Sequence, residues 1–438
     1  MSIAAEIRPA ISAKTAATRG LGWAGLTQLI GMLVRLASNL ILTRMLAPSV
    51  YGLFGTAMAV VTTLEWLSDL GVTPALLRLP RGASPRFALT GWWMNMGRGL
   101  MLSLLAAALA FPLALAYGQP VIAPVLLALA LRPILMSLRS PGMPELRRKM
   151  DYKSLFTDEV SQTIVGTAVS LTLAVLSPTL WSIVAGTLAS ALMGVLISYR
   201  LAPMRPRFIW DKDAAKEIGH LGHQVFVNTL VMALWLNLDR LLGLKLVDDA
   251  SMGFYAVAWN LTAMVEGLST RACDVYYSHL ARARDQATQE ADHAIVTHRV
   301  AIYGMPIMAL GVAISPLVVA VLYSAAYAGA RPLVVILGAR LMVRILGQVQ
   351  FQSLLAQARV RLATWSYFVA LIVHAIAIFP LAKAYGVLGI ALSVLLSTTA
   401  VTISQSLLIA RGGGPTMGSL AATLFWTAVA LGCGLWLA

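Results

Sequence analysis

Four polar residues recur at every fourth position of an otherwise apolar stretch: Arg340, Arg344, Gln348 and Gln352. Residues four apart share a helix face, so the four form one slowly drifting polar stripe. A guanidinium is a planar fork of donors that fits phosphate or carboxylate bidentately, and it stays charged. Gln28, Gly31, Arg35 and Asn39 make a shorter stripe of the same kind. Glu266, Thr270 and Asp274 share another face, with Arg271 three residues before Asp274. A further stretch starts with His220, Gln224 and Asn228 and ends at Asp239-Arg240. Arg98, Arg132 and Lys245 stand singly in apolar surroundings, and so does His374, which reads as polar glue between helices.

The chain that must position these groups is 59% hydrophobic and 12% charged over 438 residues. Soluble chains carry about 45–50% apolar and about 25% charged residues. Apolar runs of about 20 residues recur along the whole length, as in transmembrane helices. The expected fold is therefore an all-α polytopic membrane protein. A cation at the centre of such a helix costs about 2.5–3.5 kcal/mol and normally faces a bundle interior or a watery cavity. Arg132 and Lys245 can instead snorkel from helix ends. The stripe from Arg340 is expected to line a cavity, with a helix contact as the alternative. For Arg271 with Asp274, and for Asp239 with Arg240, a structural ion pair and a substrate role both stay open. Within the spans the cations outnumber Glu65, Asp69, Asp239, Glu266 and Asp274. A cavity with a positive interior holds an anion, and cations from several helices suit a multiply charged group such as a diphosphate. Glu65, Asp69, Glu266 and Asp274 are candidates for coupling to protons or sodium.

Helices are expected at 20–46, 51–77, 87–117, 120–138, 155–176, 180–200, 219–246, 252–280, 294–323, 331–357, 362–383 and 386–410, with a weaker one at 417–437. Pro112, Pro133, Pro306 and Pro316 fall inside spans and should kink them. Lys and Arg crowd alternate loops, including Arg78, Arg81 and Arg86, then Arg139 to Lys153, then Arg200 to Lys216. The intervening loops hold only Arg44, Arg331 and Lys383. The positive-inside rule then places the N-terminus in the cytoplasm. The net charge of +15 is mostly this topology signal, and it also suits anionic lipid headgroups. No nucleic-acid motif accompanies it.

Shifted by 201 positions, the sequence matches itself. Gly52-Leu-Phe54 meets Gly253-Phe-Tyr255, Ala57 meets Ala258, Glu65 meets Glu266, and Leu67-Ser68 meets Leu268-Ser269. The two copies start on the same side of the membrane, so the repeat is parallel, as in transporters that bind substrate between their halves. The segments expected are an N-terminal cytoplasmic segment over 1–19, a six-helix bundle over 20–200, a linker over 201–218, a second bundle over 219–410 and an extra helix over 411–438.

The apolar stretch after residue 19 is too long for a signal h-region and reads as a retained first helix. Cys273 and Cys433 lie in apolar runs and form no disulfide or metal framework. No Walker A, G-x-S-x-G or H-E-x-x-H pattern occurs. No enzyme activity and no cofactor are expected.

Arg44-Met-Leu-Ala-Pro-Ser-Val-Tyr-Gly-Leu-Phe54, Leu67-Ser-Asp-Leu-Gly-Val-Thr-Pro-Ala-Leu-Leu77, Leu238-Asp-Arg-Leu-Leu-Gly243, Gly253-Phe-Tyr-Ala-Val-Ala258 and Leu322-Tyr-Ser-Ala-Ala-Tyr-Ala-Gly-Ala330 together resemble the polysaccharide-transporter branch of the multidrug/oligosaccharidyl-lipid/polysaccharide (MOP) exporter superfamily. The resemblance implies two six-helix bundles in a V around a central cavity, alternating access, and a bacterial inner membrane. It implies a polyprenyl-diphosphate-linked oligosaccharide as cargo, for O-antigen or exopolysaccharide synthesis. Arg35, Arg98, Arg240, Arg271, Arg340 and Arg344 would then hold the diphosphate, and Asn39, Gln348 and Gln352 the glycan, with Gln28 beside them. Candidate partners are membrane lipids, a polysaccharide polymerase and chain-length proteins. A multidrug exporter of the same superfamily and a cell-wall precursor flippase are the alternatives, though a drug cation calls for the opposite cavity charge. Ser49-Val50 departs from the acidic-aromatic character expected after the proline. Members often carry a pair of further C-terminal helices, where one is read here.

Overall fold

The computed structural model describes residues 25–26, 29–67, 76, 84–149, 151–280, 286–357, 359–410 and 417–438. Among them all regular structure is helical. In chain order these are α1 (29–45), α2 (Pro48–Leu67), α3 (Pro85–Tyr117), α4 (Ile122–Leu129), α5 (Leu131–Ser137), α6 (Met143–Arg148), α7 (Tyr152–Leu176), α8 (Leu180–Leu201), α9 (Lys212–Leu246), α10 (Asp249–Leu280), α11 (Gln286–Arg299), α12 (Met305–Leu322), α13 (Ala330–Ala356), α14 (Val360–Tyr385), α15 (Val387–Ala410) and α16 (Met417–Leu437).

Local chemistry sets these boundaries. Asp151 caps α7 by accepting from the Ser154 amide at 3.2 Å. Asp211 accepts from the Ala214 amide at 3.1 Å, so α9 begins at Lys212, inside the segment expected to be a linker. The prolines stand in different local settings. Pro112 and Pro316 sit inside α3 and α12. Pro133 follows the break at Ala130 that separates α4 from α5. Pro306 follows a π-turn at Val300–Gly304, which continues α11 into α12. A proline has no amide hydrogen and crowds the carbonyl four residues back, and a wider turn relieves both.

Eight of the described helical stretches are long and apolar enough to cross a membrane. Large apolar side chains stand exposed along them, including Phe111, Leu115, Ile307, Val321 and Ile376. A water-facing surface does not sustain that many, whereas lipid does. The chain is a multi-pass membrane protein. α9 and α10 have 35 and 32 residues and fall outside the eight, because polar residues interrupt their apolar character.

The chain divides into two compact units. The first comprises residues 1–42, 68–115 and 120–226, and the second comprises 43–67, 116–119 and 227–438. The division thus falls inside α9, and α2 groups with the second unit. In the first unit α7 and α8 pack tightly, and a Cβ on Gly186 would overlap Ser170. Small residues allow such close helix contact in lipid. In the second unit Val231, Trp235, Tyr367, Ala370 and Val401 join α9, α14 and α15 in one core cluster. α13 is the central helix, buried on nearly every side.

Candidate substrate site

Burial of α13 forces its polar stripe to find partners. Arg340 and Arg344, one turn apart, both meet Glu266 of α10. Arg340 Nη1 donates to Oε2 at 2.7 Å and Arg344 Nε to Oε1 at 3.3 Å. Each guanidinium also lies over an indole. Arg340 is 4.6 Å from the Trp259 ring centre and Arg344 is 5.1 Å from that of Trp235. Arg240, from α9, shares the Trp259 ring at 4.7 Å. Cation–π contacts of this kind hold a guanidinium flat without using its donors. The stripe continues at Gln348, which accepts from Ser269 at 2.9 Å and donates to Thr270 at 3.1 Å. It therefore lies against a matching face of α10: Trp259, Glu266, Ser269 and Thr270.

A second polar layer adjoins the first. The Tyr255 hydroxyl donates to Asp239, which is buried. Arg240 donates to Asn237 Oδ1 at 2.7 Å and to the Leu236 carbonyl at 3.1 Å. Asp239 and Arg240 thus take different partners, as neighbours on a helix point apart.

Arg240, Arg340 and Arg344 against Asp239 and Glu266 leave one net positive charge. The Nε of Arg240 and of Arg340 is buried without a hydrogen-bond partner. An orphaned buried donor costs about 1–3 kcal/mol. Side-chain exposure rises from 1% at Arg340 through 9% at Arg344 to 18% at Glu266. The cluster opens toward the Thr270 and Gln348 end. It sets fixed arginines beside amides and hydroxyls.

A family described as polysaccharide biosynthesis protein matches residues 41–332. The chain belongs to that family. It is 27% identical over 203 residues to the succinoglycan biosynthesis transport protein ExoT of Rhizobium meliloti (strain 1021), covering 46% of this chain and 41% of that relative. The aligned stretch is thus less than half of the curated relative. In fold, the chain is similar to the lipid II flippase MurJ in an inward closed conformation, at 12% identity and a TM-score of 0.75, covering 94% of this chain and 96% of that one. It is also similar to an inward-facing multidrug resistance MATE family transporter of the MOP superfamily, at 13% identity and a TM-score of 0.67, covering 91% and 95%. By name these relatives are transporters and flippases, and the fold is that of the MOP superfamily.

The other expected residues divide between the two units. Arg35 is exposed on α1 and folds back over Gly31, and Asn39 is buried with Oδ1 unpartnered. Arg98 donates to Asn95 at 3.1 Å. These three belong to the first unit. Arg271 is exposed on α10, and Gln352 is half-buried. Glu65 is half-buried near the end of α2. Gln28, Asp69 and the side chain of Asp274 lie outside the described residues. Among the described residues no group of His, Cys, Asp and Glu could hold a metal ion.

Sequence reasoning passed over Trp235, Trp259 and Tyr255, which position the arginines and Asp239. The signal was present: Tyr255, Trp259 and Glu266 recur at helical spacing on one face. His374 also lies in this unit, fully buried on α14 beside the Trp235 backbone.

Proposed function

We propose that this polysaccharide biosynthesis protein moves a polyprenyl-diphosphate-linked oligosaccharide across the bacterial inner membrane by alternating access, with its N-terminus in the cytoplasm. The observation that carries this is the surplus of buried arginine at the α10 and α13 contact. Glu266 stands there as an internal placeholder for the diphosphate. An arriving diphosphate competes with it for Arg340 and Arg344 and takes the unpartnered Nε donors. Gln348, Ser269 and Thr270 take glycan hydroxyls, and the prenyl tail stays in lipid. Once displaced, Glu266 is free to accept a proton or bind sodium, which ties cargo to the ion gradient. Family membership and the names of the matched relatives support the choice of cargo class.

The test is the Arg340→Ala/Arg344→Ala double variant in a strain deleted for the native gene. The expected result is full-length protein in the membrane, no polysaccharide export, and lipid-linked glycan accessible only from the cytoplasmic face. Normal export in that variant would overturn the assignment of the site.

A further inference from the structure

The first unit holds a separate cavity of about 160 Å³, several times the roughly 30 Å³ share of one water. It lies where α3 meets the turn after α5, and its lining includes Trp92, Asn95, Arg139, Pro141, Met143 and Arg147.

The turn is held from several sides. The Ser140 amide donates to Ser198 at 2.9 Å, and Tyr199 donates to the Leu138 carbonyl at 3.1 Å. The Trp92 indole donates to the Arg139 carbonyl at 2.7 Å. Arg139 reaches across to Asp158 of α7 in a largely buried ion pair. The walls are therefore tied to α3, α7 and α8 by these contacts. Donors stand at its walls, and the Asp158 carboxylate is held by Arg139 with its Oδ1 buried and unpartnered. Arg139 Nε is buried with no partner. Asn95 accepts from Arg98 through its oxygen, which leaves its amide NH2 as a donor. Arg147 is exposed and lines the same cavity.

The surroundings place the cavity at headgroup depth. Arg148, Lys149, Arg205 and Arg207 are exposed at this end of the unit, so it is the cytoplasmic end by the positive-inside rule. Trp93 donates to the Arg207 carbonyl at 3.0 Å and packs edge-on against Phe208 at 5.3 Å. Phe208 and Trp210 are exposed. Exposed aromatics beside cations form the belt found at a membrane interface.

We propose that this cavity binds the phosphate of a membrane lipid in the cytoplasmic leaflet. Arg139, Arg147 and Asn95 donate to the phosphate oxygens. Trp92, Pro141 and Met143 cover the glycerol or the first isoprenyl carbons. A bulk anionic phospholipid and a polyprenyl diphosphate present the same group, and either source fits.

Native mass spectrometry of the purified full chain with added phosphatidylglycerol, phosphatidylcholine or undecaprenyl diphosphate tests this. Wild type should retain phosphatidylglycerol or undecaprenyl diphosphate over phosphatidylcholine. Arg147→Gln, at an exposed position, should fold normally and lower that retention about fivefold. Arg139→Gln should lower it at least as much. Displacement of phosphatidylglycerol by undecaprenyl diphosphate would mark a substrate entry site, and persistence of phosphatidylglycerol would mark a structural lipid site. Wild-type retention in both variants would overturn the proposal. The Arg340→Ala/Arg344→Ala variant should still bind here, so the outcome is separate from that of the transport test.

Discussion

Gly52 packs beneath the carbonyl oxygen of Asp249, and Gly253 packs beneath the carbonyl oxygen of Pro48. Gly52 and Gly253 are 201 residues apart, and so are Pro48 and Asp249. Equivalent positions of the two repeats thus grip each other where α2 crosses α10, as at a two-fold self-complementary contact. A Cβ at either glycine would overlap backbone, which cannot swing aside.

Gly253→Val should therefore destabilise the protein by at least about 1–3 kcal/mol through overpacking. Gly52→Ala should act in the same direction. Gly97→Ala is the control, since nothing lies within 4 Å of its added carbon. Thermal melts in one detergent should rank Gly253→Val well below wild type, with Gly97→Ala at or slightly above it. Equal melting of all three would mean that the close crossing does not exist.

Glu266 and Arg340 should show strong coupling. Removing one partner of a buried ion pair costs about 3–5 kcal/mol, because the other charge is stranded. Glu266→Ala strands two arginines, so it should be worse than Arg340→Ala, which leaves Arg344 on the carboxylate. The Glu266→Ala/Arg340→Ala double variant should recover about 0.5–3 kcal/mol relative to additivity. Additive melting temperatures would show that the pair is not formed.

The sequence made the helices and their breaks legible because apolar length, proline and loop charge act locally. The repeat was legible because Glu65 and Glu266 stand out in apolar surroundings. What lies opposite a residue was not. Arg340, Arg344 and Gln348 read as one stripe, but only packing shows that they meet Glu266, Ser269 and Thr270 of α10. Trp235 and Trp259 are unremarkable in an apolar run until an arginine is found over each ring. Arg139 and Asp158 sit 19 residues apart in what reads as loop and helix start. α2 gave no local sign that it groups with the second unit.

Tyr255→Phe isolates the second polar layer. It deletes one oxygen and keeps the ring against Trp259. Asp239 then loses the hydroxyl that donates to it and remains buried. The expected cost is about 1–3 kcal/mol for the stranded acceptor. Asp239→Asn in the same background should return part of it, since a neutral amide is cheaper to bury. A Tyr255→Phe protein that melts with wild type would show that Asp239 is satisfied elsewhere.

Two helix starts use the same Asp-x-x-Ser arrangement outside the membrane-spanning helices. Asp151 accepts from the Ser154 amide and hydroxyl, and Asp248 from those of Ser251. These hydrogen bonds favour the ionised carboxylate, so both pKa values lie below the ordinary 3.8. A group with a depressed folded pKa contributes stability above its unfolded pKa and loses it as pH falls through the folded one. The caps should thus be fully effective at pH 6 and fade below about pH 4. Asp151→Ala and Asp248→Ala should each cost about 1 kcal/mol or less at pH 6, as exposed caps do. The gap in melting temperature between each variant and wild type should narrow on acidification from pH 6 to pH 3. A gap that stays constant across that range would show that the carboxylate charge plays no part in starting α7 and α10.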